Sequence, residues 1–223
     1  MSGRHELKYF ISPADCIELR SRLRVIARPD KHASDNGGYR VRSLYFDNYS
    51  DKTVIEKLSG QSKREKFRLR FYESDTSLVR LEKKSKSNRL VYKKITSIDE
   101  ALCESLLSGD YNCLNSPNDS VMMELYSRIR SENLRPKCIV DYHREVYVYP
   151  PGNVRVCFDS RIRAANAVTN FFNQNLSLVP AADAIILEVK FDGFLPDVIK
   201  SFLQLNNRNQ TEFSKYVAAR MIF

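Results

Sequence analysis

Between Lys66 and Ile95, hydrophobic and polar positions alternate so regularly that the segment reads as successive strands of one sheet. Lys66, Arg68, Arg70 and Tyr72 point to one side, and Phe67, Leu69 and Phe71 to the other. The next strand sets Arg80, Glu82, Lys84 and Lys86 against Val79 and Leu81, and Ser87-Asn88 turns into a third strand carrying Lys93. The pattern recurs along the chain. Glu6 and Lys8 oppose Leu7 and Tyr9; Val140, Tyr142 and Arg144 oppose Ile139, Asp141 and His143; Arg155, Cys157, Asp159 and Arg161 oppose Val156 and Phe158; Glu188 and Lys190 oppose Ile185, Leu187, Val189 and Phe191. Tyr39 to Asn48, rich in β-branched and aromatic residues, reads as a further strand.

Helical periods fill the gaps. Ser12-Pro13 is a cap followed by proline at the first helical position, predicting a helix from Ala14 to Ile26 anchored by Ile17, Leu23 and Ile26. Arg28 to Gly38 reads as a loop, and Ser50 to Lys57 as a short helix. Ser97 is expected to cap a helix ending at Ser108-Gly109, and a second helix spans Val121 to Glu132 before Pro136. Two more are expected at Pro196 to Leu205 and Glu212 to Met221.

Composition adds a direction. The 223 residues suffice for one sizeable core, so one domain over 1–223 is expected. A formal net charge of +9 favours anionic partners without choosing among them. The apolar runs are too short for a membrane span, and MSGRHELKYF lacks the apolar core of a signal peptide, so a cytoplasmic setting is expected. Five cysteines without zinc-type spacing are expected to be free thiols.

A single strand with a basic face is usually a solvated edge. Six such segments either form an open platform, as for nucleic acid, or line the inside of a closed barrel. Glu6, Glu82, Asp159 and Glu188 share the cationic faces. On a platform they would repel a phosphate backbone, whereas in an enclosure they offset cation repulsion and offer hard oxygens to a metal. The aromatic positions of the central strand fall on the opposite face from the charges, against base stacking, and no nucleic acid partner is expected. His5 and His143 face away from the cations, and His32 lies in a loop.

At RHELKYFI, VRSLYFDN, KFRLRFY, LEKKSK, YHREVY, VRVCFDS, LEVKFDG and FSKYVAA the chain resembles the triphosphate tunnel metalloenzyme superfamily, within it the polyphosphate polymerase (VTC) domain. The resemblance implies an α+β fold: a closed eight-stranded antiparallel barrel with a polar, cationic lumen and helices packed outside. It implies Lys8, Arg68, Arg70, Lys84, Lys93, Arg144, Arg155 and Lys215 as phosphate ligands, with Arg68, Arg70, Lys84 and Arg144 acting in catalysis. Glu188 would hold Mn2+ or Mg2+. Lys215 rests on the resemblance alone. Arg4 stands where the wider superfamily carries the first of two glutamates, which speaks against its triphosphatase and cyclase branches. The implied function is transfer of the γ-phosphoryl group of ATP onto a polyphosphate chain. Tripolyphosphate or nucleoside triphosphate hydrolysis, and passive binding of polyphosphate or inositol polyphosphate, remain as alternatives.

Overall fold

In the computed structural model, which describes residues 3–33, 37–88 and 90–223, the alternating segments form one antiparallel sheet. In chain order come β1 (His5–Ile11), α1 (Pro13–Ile26), β2 (Arg28–Pro29), β3 (Tyr39–Asp47), α2 (Lys52–Leu58), β4 (Lys63–Tyr72), β5 (Asp75–Ser87) and β6 (Leu90–Ile98). They are followed by α3 (Glu100–Ser108), α4 (Ser120–Glu132), β7 (Arg135–Tyr149), β8 (Val154–Ala165), β9 (Val179–Ala182), β10 (Ile185–Phe191), α5 (Asp197–Leu203) and α6 (Lys215–Arg220). The main ladder runs β1-β10-β8-β7-β3-β4-β5-β6, with β2 added to β7 and β9 to β8.

The expected closed eight-stranded barrel does not form. The sheet has ten strands and stays open. It is nevertheless strongly curled, because its edges β1 and β6 meet at an Arg4–Val91 bridge. Gly3 permits that approach, since a Cβ there would sit 2.9 Å from the Leu90 Cβ. Further along, the free edge of β1 is taken by the C-terminal segment instead: Thr211 N–H donates to Lys8 O at 2.8 Å, and Tyr9 bridges to Gln210. That segment occupies the pairing groups of β1 that closure onto β6 would need.

Period two decides what is buried. Phe67, Leu69, Phe71 and Leu81 face outward and pack with Leu106 of α3 and Leu125 and Ile129 of α4. Burial of each such side chain contributes about 1.5–3 kcal/mol, and Leu69→Ala would cost about 2–5 kcal/mol. On the other outer flank, Leu187, Val189 and Phe158 pack against Cys16, Leu19 and Leu23 of α1 and Ile199 of α5. α1 begins as its sequence predicts, with a Ser12–Asp15 capping box. Ile17, expected as an anchor, is instead 67% exposed; the buried stripe is Cys16-Leu19-Leu23.

A third apolar cluster lies inside the curl. Val41, Val140, Ile162 and Ala164 are covered there by Tyr216 and Ala219 of α6. The expectation that all helices pack outside therefore fails for α6, because the concave sides of β3, β7 and β8 carry apolar residues that need cover. Three local expectations also shift. Asp99, not Ser97, caps α3. The expected loop from Arg28 contains β2, and its residues 34–36 lie outside the described residues. A register shift between Asp141 and His143 against β8, with Arg161 at φ 52°, turns Arg161 out of the concave face and Ile162 into it.

Candidate functional site

Two carboxylate centres organise the concave face. The first forms where β4, β5 and β6 pair Arg68 opposite Glu82 and Lys84 opposite both Lys66 and Lys93. Arg68 Nε donates to Glu82 Oε2 at 2.6 Å and its Nη1 to Tyr45 Oη at 3.0 Å. Arg70 Nη1 lies 3.8 Å from the same Glu82 oxygen, while Nε donates to Ser43 Oγ at 3.0 Å and Nη2 to Tyr142 Oη at 3.2 Å. Lys93 Nζ is 2.5 Å from Glu82 Oε1. Burial would raise the Glu82 carboxyl, but Arg68, Arg70 and Lys93 hold it far below the ordinary range. Burial, followed by the surrounding cations, lowers Lys66 and Lys93 to about 7. Tyr45 also falls to about 7, since Arg68, Lys66 and Arg70 override its burial.

The second centre joins β1, β7, β8, β10 and α6. Arg144 clasps Asp159 with Nε–Oδ1 at 2.6 Å and Nη2–Oδ2 at 2.7 Å, and its Nη2 also reaches Glu188 Oε2 at 2.8 Å. Lys215 Nζ sits 2.5 Å from Asp159 Oδ2 and 4.8 Å from the centre of the Tyr142 ring. Lys190 contacts Glu188 at 2.9 Å, and Lys84 contacts Glu6 at 2.6 Å. That last pair links β1 to β5, one strand in from the other end of the ladder, and makes the face a trough. Lys8 donates to Phe213 O at 3.0 Å and lies 3.7 Å from Glu188. Asp159 is held at about 2 because Arg144 and Lys215 override its burial.

Glu6 and Glu188 lie beside one another, with the Lys8 ammonium 3.9 Å from the first and 3.7 Å from the second. Burial pushes both carboxyls up. Lys190, Arg144 and Lys8 at Glu188, and Lys84 and Lys8 at Glu6, more than reverse it, so the pair stays ionised. Glu6 Oε1 is buried without a hydrogen-bond partner among the described residues, the Lys8 ammonium being 3.9 Å away. Two ionised carboxylates with an unused oxygen fit a hard divalent cation that takes its remaining ligands from phosphate and water. Among the described residues, no three His, Cys, Asp or Glu side chains converge as a ready-made cage.

Of the residues singled out in the sequence, Arg68, Arg70 and Lys93 gather around Glu82, and Lys8, Lys84, Arg144, Lys215 and Glu188 around the second centre. Arg155 is not brought to either. It pairs with Asp30 at the far end of the trough. Lys66, Lys190, Ser43, Tyr45 and Tyr142 belong to the site and were not assigned to it. Strand parity with Arg68 and Glu188 could have found the two lysines, whereas β3 is buried almost throughout and its alternation is silent. His5 stacks on Phe191 at 5.1 Å, away from the site.

Residues 3–223 match the family model of the VTC domain. The chain belongs to the VTC domain family. The family read from the eight signatures is thus the one matched by nearly the whole chain. The family implies handling of phosphate in a site of the triphosphate tunnel type and dependence on a divalent metal. No curated protein matches the chain. Among solved structures, a provisionally assigned adenylate cyclase from Bacillus halodurans is similar over 95% of this chain and 96% of its own, at 15% identity and a TM-score of 0.54. At that identity the likeness is one of fold. A second provisionally assigned cyclase, from Vibrio parahaemolyticus, aligns over 97% of both chains at 9% identity, with a TM-score of 0.49 too loose to add to it. In this VTC domain, Arg4 pairs with Asp192 at 2.7 Å beside the seam, away from both carboxylate centres. Among the described residues no helix is long and apolar enough to cross a membrane.

Proposed function

We propose that this VTC domain, acting as one unit over residues 1–223, transfers the γ-phosphoryl group of ATP onto the end of a polyphosphate chain lying along the trough. The observation that carries this reading is the state of the four carboxylates inside. Glu82, Asp159, Glu188 and Glu6 are all held ionised and below their ordinary range by adjacent cations. Carboxylates of such low proton affinity are poor general bases for activating water. A terminal phosphate of the acceptor needs no base, since its second ionisation lies at about 6.

Arg68, Arg70 and Arg144 present forked donors that match phosphate oxygens, and Lys84, Lys93, Lys8 and Lys215 add point charges around them. Fixed in place by their carboxylates, these cations are positioned to neutralise charge on the transferring group without rearranging in the transition state. Glu188 with Glu6 would hold Mn2+ or Mg2+, which supplies further charge neutralisation at phosphate oxygens. Arg155 serves the far end of the trough rather than the transfer itself. Five free thiols and ATP as donor suit a cytoplasmic setting.

Glu6 Oε1 favours a second reading, hydrolysis of triphosphate: among the described residues it and Glu82 Oε1 are the interior carboxylate oxygens without a hydrogen bond, and only Glu82 Oε1 is closed off by a cation, Lys93 at 2.5 Å, leaving Glu6 Oε1 to orient a water. Incubation with ATP and Mn2+, followed by separation of phosphate products by length, decides. Transfer yields ADP and chains longer than pyrophosphate. Orthophosphate as the only phosphate product would make the protein a hydrolase, and no ADP would leave a binding domain.

A further inference from the structure

Behind the second carboxylate centre, on the outer side of the sheet, lies a cleft of about 700 Å3 that the chemistry of the trough does not use. Strand parity makes it. β7 and β8 turn Arg144 and Asp159 inward, and so present His143, Glu145 and Ser160 outward, with His143 opposite Ser160 in the ladder. α1 brings Arg20 and Arg24 to the same cleft, and the start of β3 brings Arg40. Gly38, which leads into β3, passes so close to His143 that a Cβ there would lie 2.5 Å from the imidazole Cε1 and 2.7 Å from the Arg144 carbonyl oxygen. That approach closes one side of the cleft.

Its charges do not balance. The arginines are Arg20, Arg24, Arg40 and Arg161, and the carboxylates Glu73 and Glu145. Arg20 grips Glu145 with two arms of its guanidinium, Nε donating to Oε2 at 2.8 Å. Glu73 Oε1 accepts from the Arg40 backbone N–H at 2.9 Å, and the Arg40 guanidinium turns to Asp141 at 2.7 Å, a carboxylate already shared with Arg42 and Arg163. Arg24 and Arg161 are exposed and pair with no carboxylate among the described residues. Arg161 is moreover held at φ 52°, a left-handed backbone that glycine or asparagine adopts more readily. The bulge serves the core by turning Ile162 inward, but an arginine at the strained position points to a use for the guanidinium it holds outward.

We propose that this outer cleft is a second anion site, separate from the trough, which takes a short inorganic oligophosphate. The site stands whether or not the trough transfers phosphate. Two guanidinium forks without counter-ions call for an anion of at least two charges, and the cleft is larger than a single phosphate fills. Tetrahedral phosphates offer acceptor oxygens in more directions than a planar carboxylate, so donors converging from α1, β7 and β8 can all be met. Tyr147, in the wall, is buried and offers no ring face to a base, which favours an inorganic chain over a nucleotide.

Calorimetry of the full chain with inorganic tripolyphosphate tests this by counting sites. Wild-type protein should bind two molecules, and Arg70→Ala should lose the one in the trough and keep the other. In that background Arg24→Gln and Arg161→Asn, the latter chosen because asparagine keeps the left-handed backbone, should each weaken the remaining site at least about tenfold, the worth of one charge-assisted contact, and together abolish it. Lys200→Gln, which removes one exposed charge from α5, should change neither site. One site in wild type that Arg70→Ala abolishes, a loss in Lys200→Gln equal to that in Arg24→Gln, or citrate held at the outer cleft as tightly as tripolyphosphate would each overturn the assignment. One site that survives Arg70→Ala and disappears when Arg24→Gln and Arg161→Asn are combined would keep the outer site and instead remove phosphate from the trough.

Discussion

Glu82 and Glu188 stand on the same concave face, both buried, both ionised, and they are built for different work. Glu82 is a lone carboxylate among three cations, Arg68, Arg70 and Lys93, each of which contacts it. Glu82 Oε1, like Glu6 Oε1, has no hydrogen bond of good geometry among the described residues, but the Lys93 ammonium closes on it at 2.5 Å, and this positive neighbourhood suits an incoming phosphate and repels a metal ion. Glu188 lies beside a second carboxylate, and one oxygen of that partner, Glu6 Oε1, has no hydrogen bond among the described residues. Five cations, Lys8, Lys84, Lys190, Arg144 and Lys215, outnumber the three carboxylates there, so it is the open oxygen beside a second carboxylate, and not the net charge, that suits a metal ion. A buried carboxylate therefore does not declare its role by burial or ionisation; whether a second carboxylate stands beside it with an oxygen that no cation closes off does.

The largest effect that would sharpen this contrast is loss of the cations at the first centre. Arg70→Ala or Arg68→Ala should lower turnover by about 10^3, roughly 4 kcal/mol, with circular dichroism unchanged. Near-normal rates in both variants would show that the face around Glu82 is not where charge develops.

Next in size is the structural debt around Glu82 itself. Glu82→Gln leaves Arg68, Arg70 and Lys93 without their counter-ion, and removal of one partner from a buried ion cluster costs about 3–5 kcal/mol. The account expects a lowered melting temperature that tripolyphosphate raises more in this variant than in wild type, since the ligand replaces the missing anion. A variant melting like wild type would mean that the first centre is less enclosed than its geometry indicates.

Smaller, and distributed, is the pH dependence. Lys66 and Lys93 are brought to about 7 by burial and neighbouring cations. An anionic ligand favours their protonated forms, so affinity for tripolyphosphate is fully present below about pH 7. It is lost as pH rises between there and the higher values these lysines take when the ligand is bound. Tyr45, also near 7, adds negative charge over the same range and works in the same direction. Calorimetry between pH 6 and 9 should show affinity falling by up to about tenfold per unit per lysine, with proton uptake on binding. A flat profile would place both lysines outside the ligand's reach.

How much of this was visible in the chain depends on whether the information is local. The faces of β4, β5, β7 and β10 were legible, because period two exposes which residues share a side and the strands are regular where it matters. Arg161 was misplaced because a bulge in β8 adds one residue to the count, and parity carries no warning of a bulge. Openness of the sheet was hidden because it depends on the C-terminal segment pairing with β1, some 200 residues apart in sequence. Lys215 was reachable only through family likeness: a lysine opening a short helix is unremarkable until Tyr216, whose hydroxyl donates to Asp47 at 2.7 Å, seats that helix inside the curl. Arg155 keeps its strand face but spends its charge on Asp30, a loop partner that alternation does not reveal.

The division of labour between the two centres is tested most directly by counting Mn2+ bound to wild type, Glu188→Gln and Glu82→Gln by electron paramagnetic resonance, with tripolyphosphate affinity measured alongside. Glu188→Gln keeps the shape of the side chain and removes the anionic oxygen, so the account predicts at least about tenfold weaker Mn2+ binding, roughly 1.4 kcal/mol, with tripolyphosphate still bound. Glu82→Gln should leave Mn2+ binding within about twofold of wild type. Weaker Mn2+ binding in Glu82→Gln than in Glu188→Gln would contradict the assignment of metal to one centre and phosphate to the other.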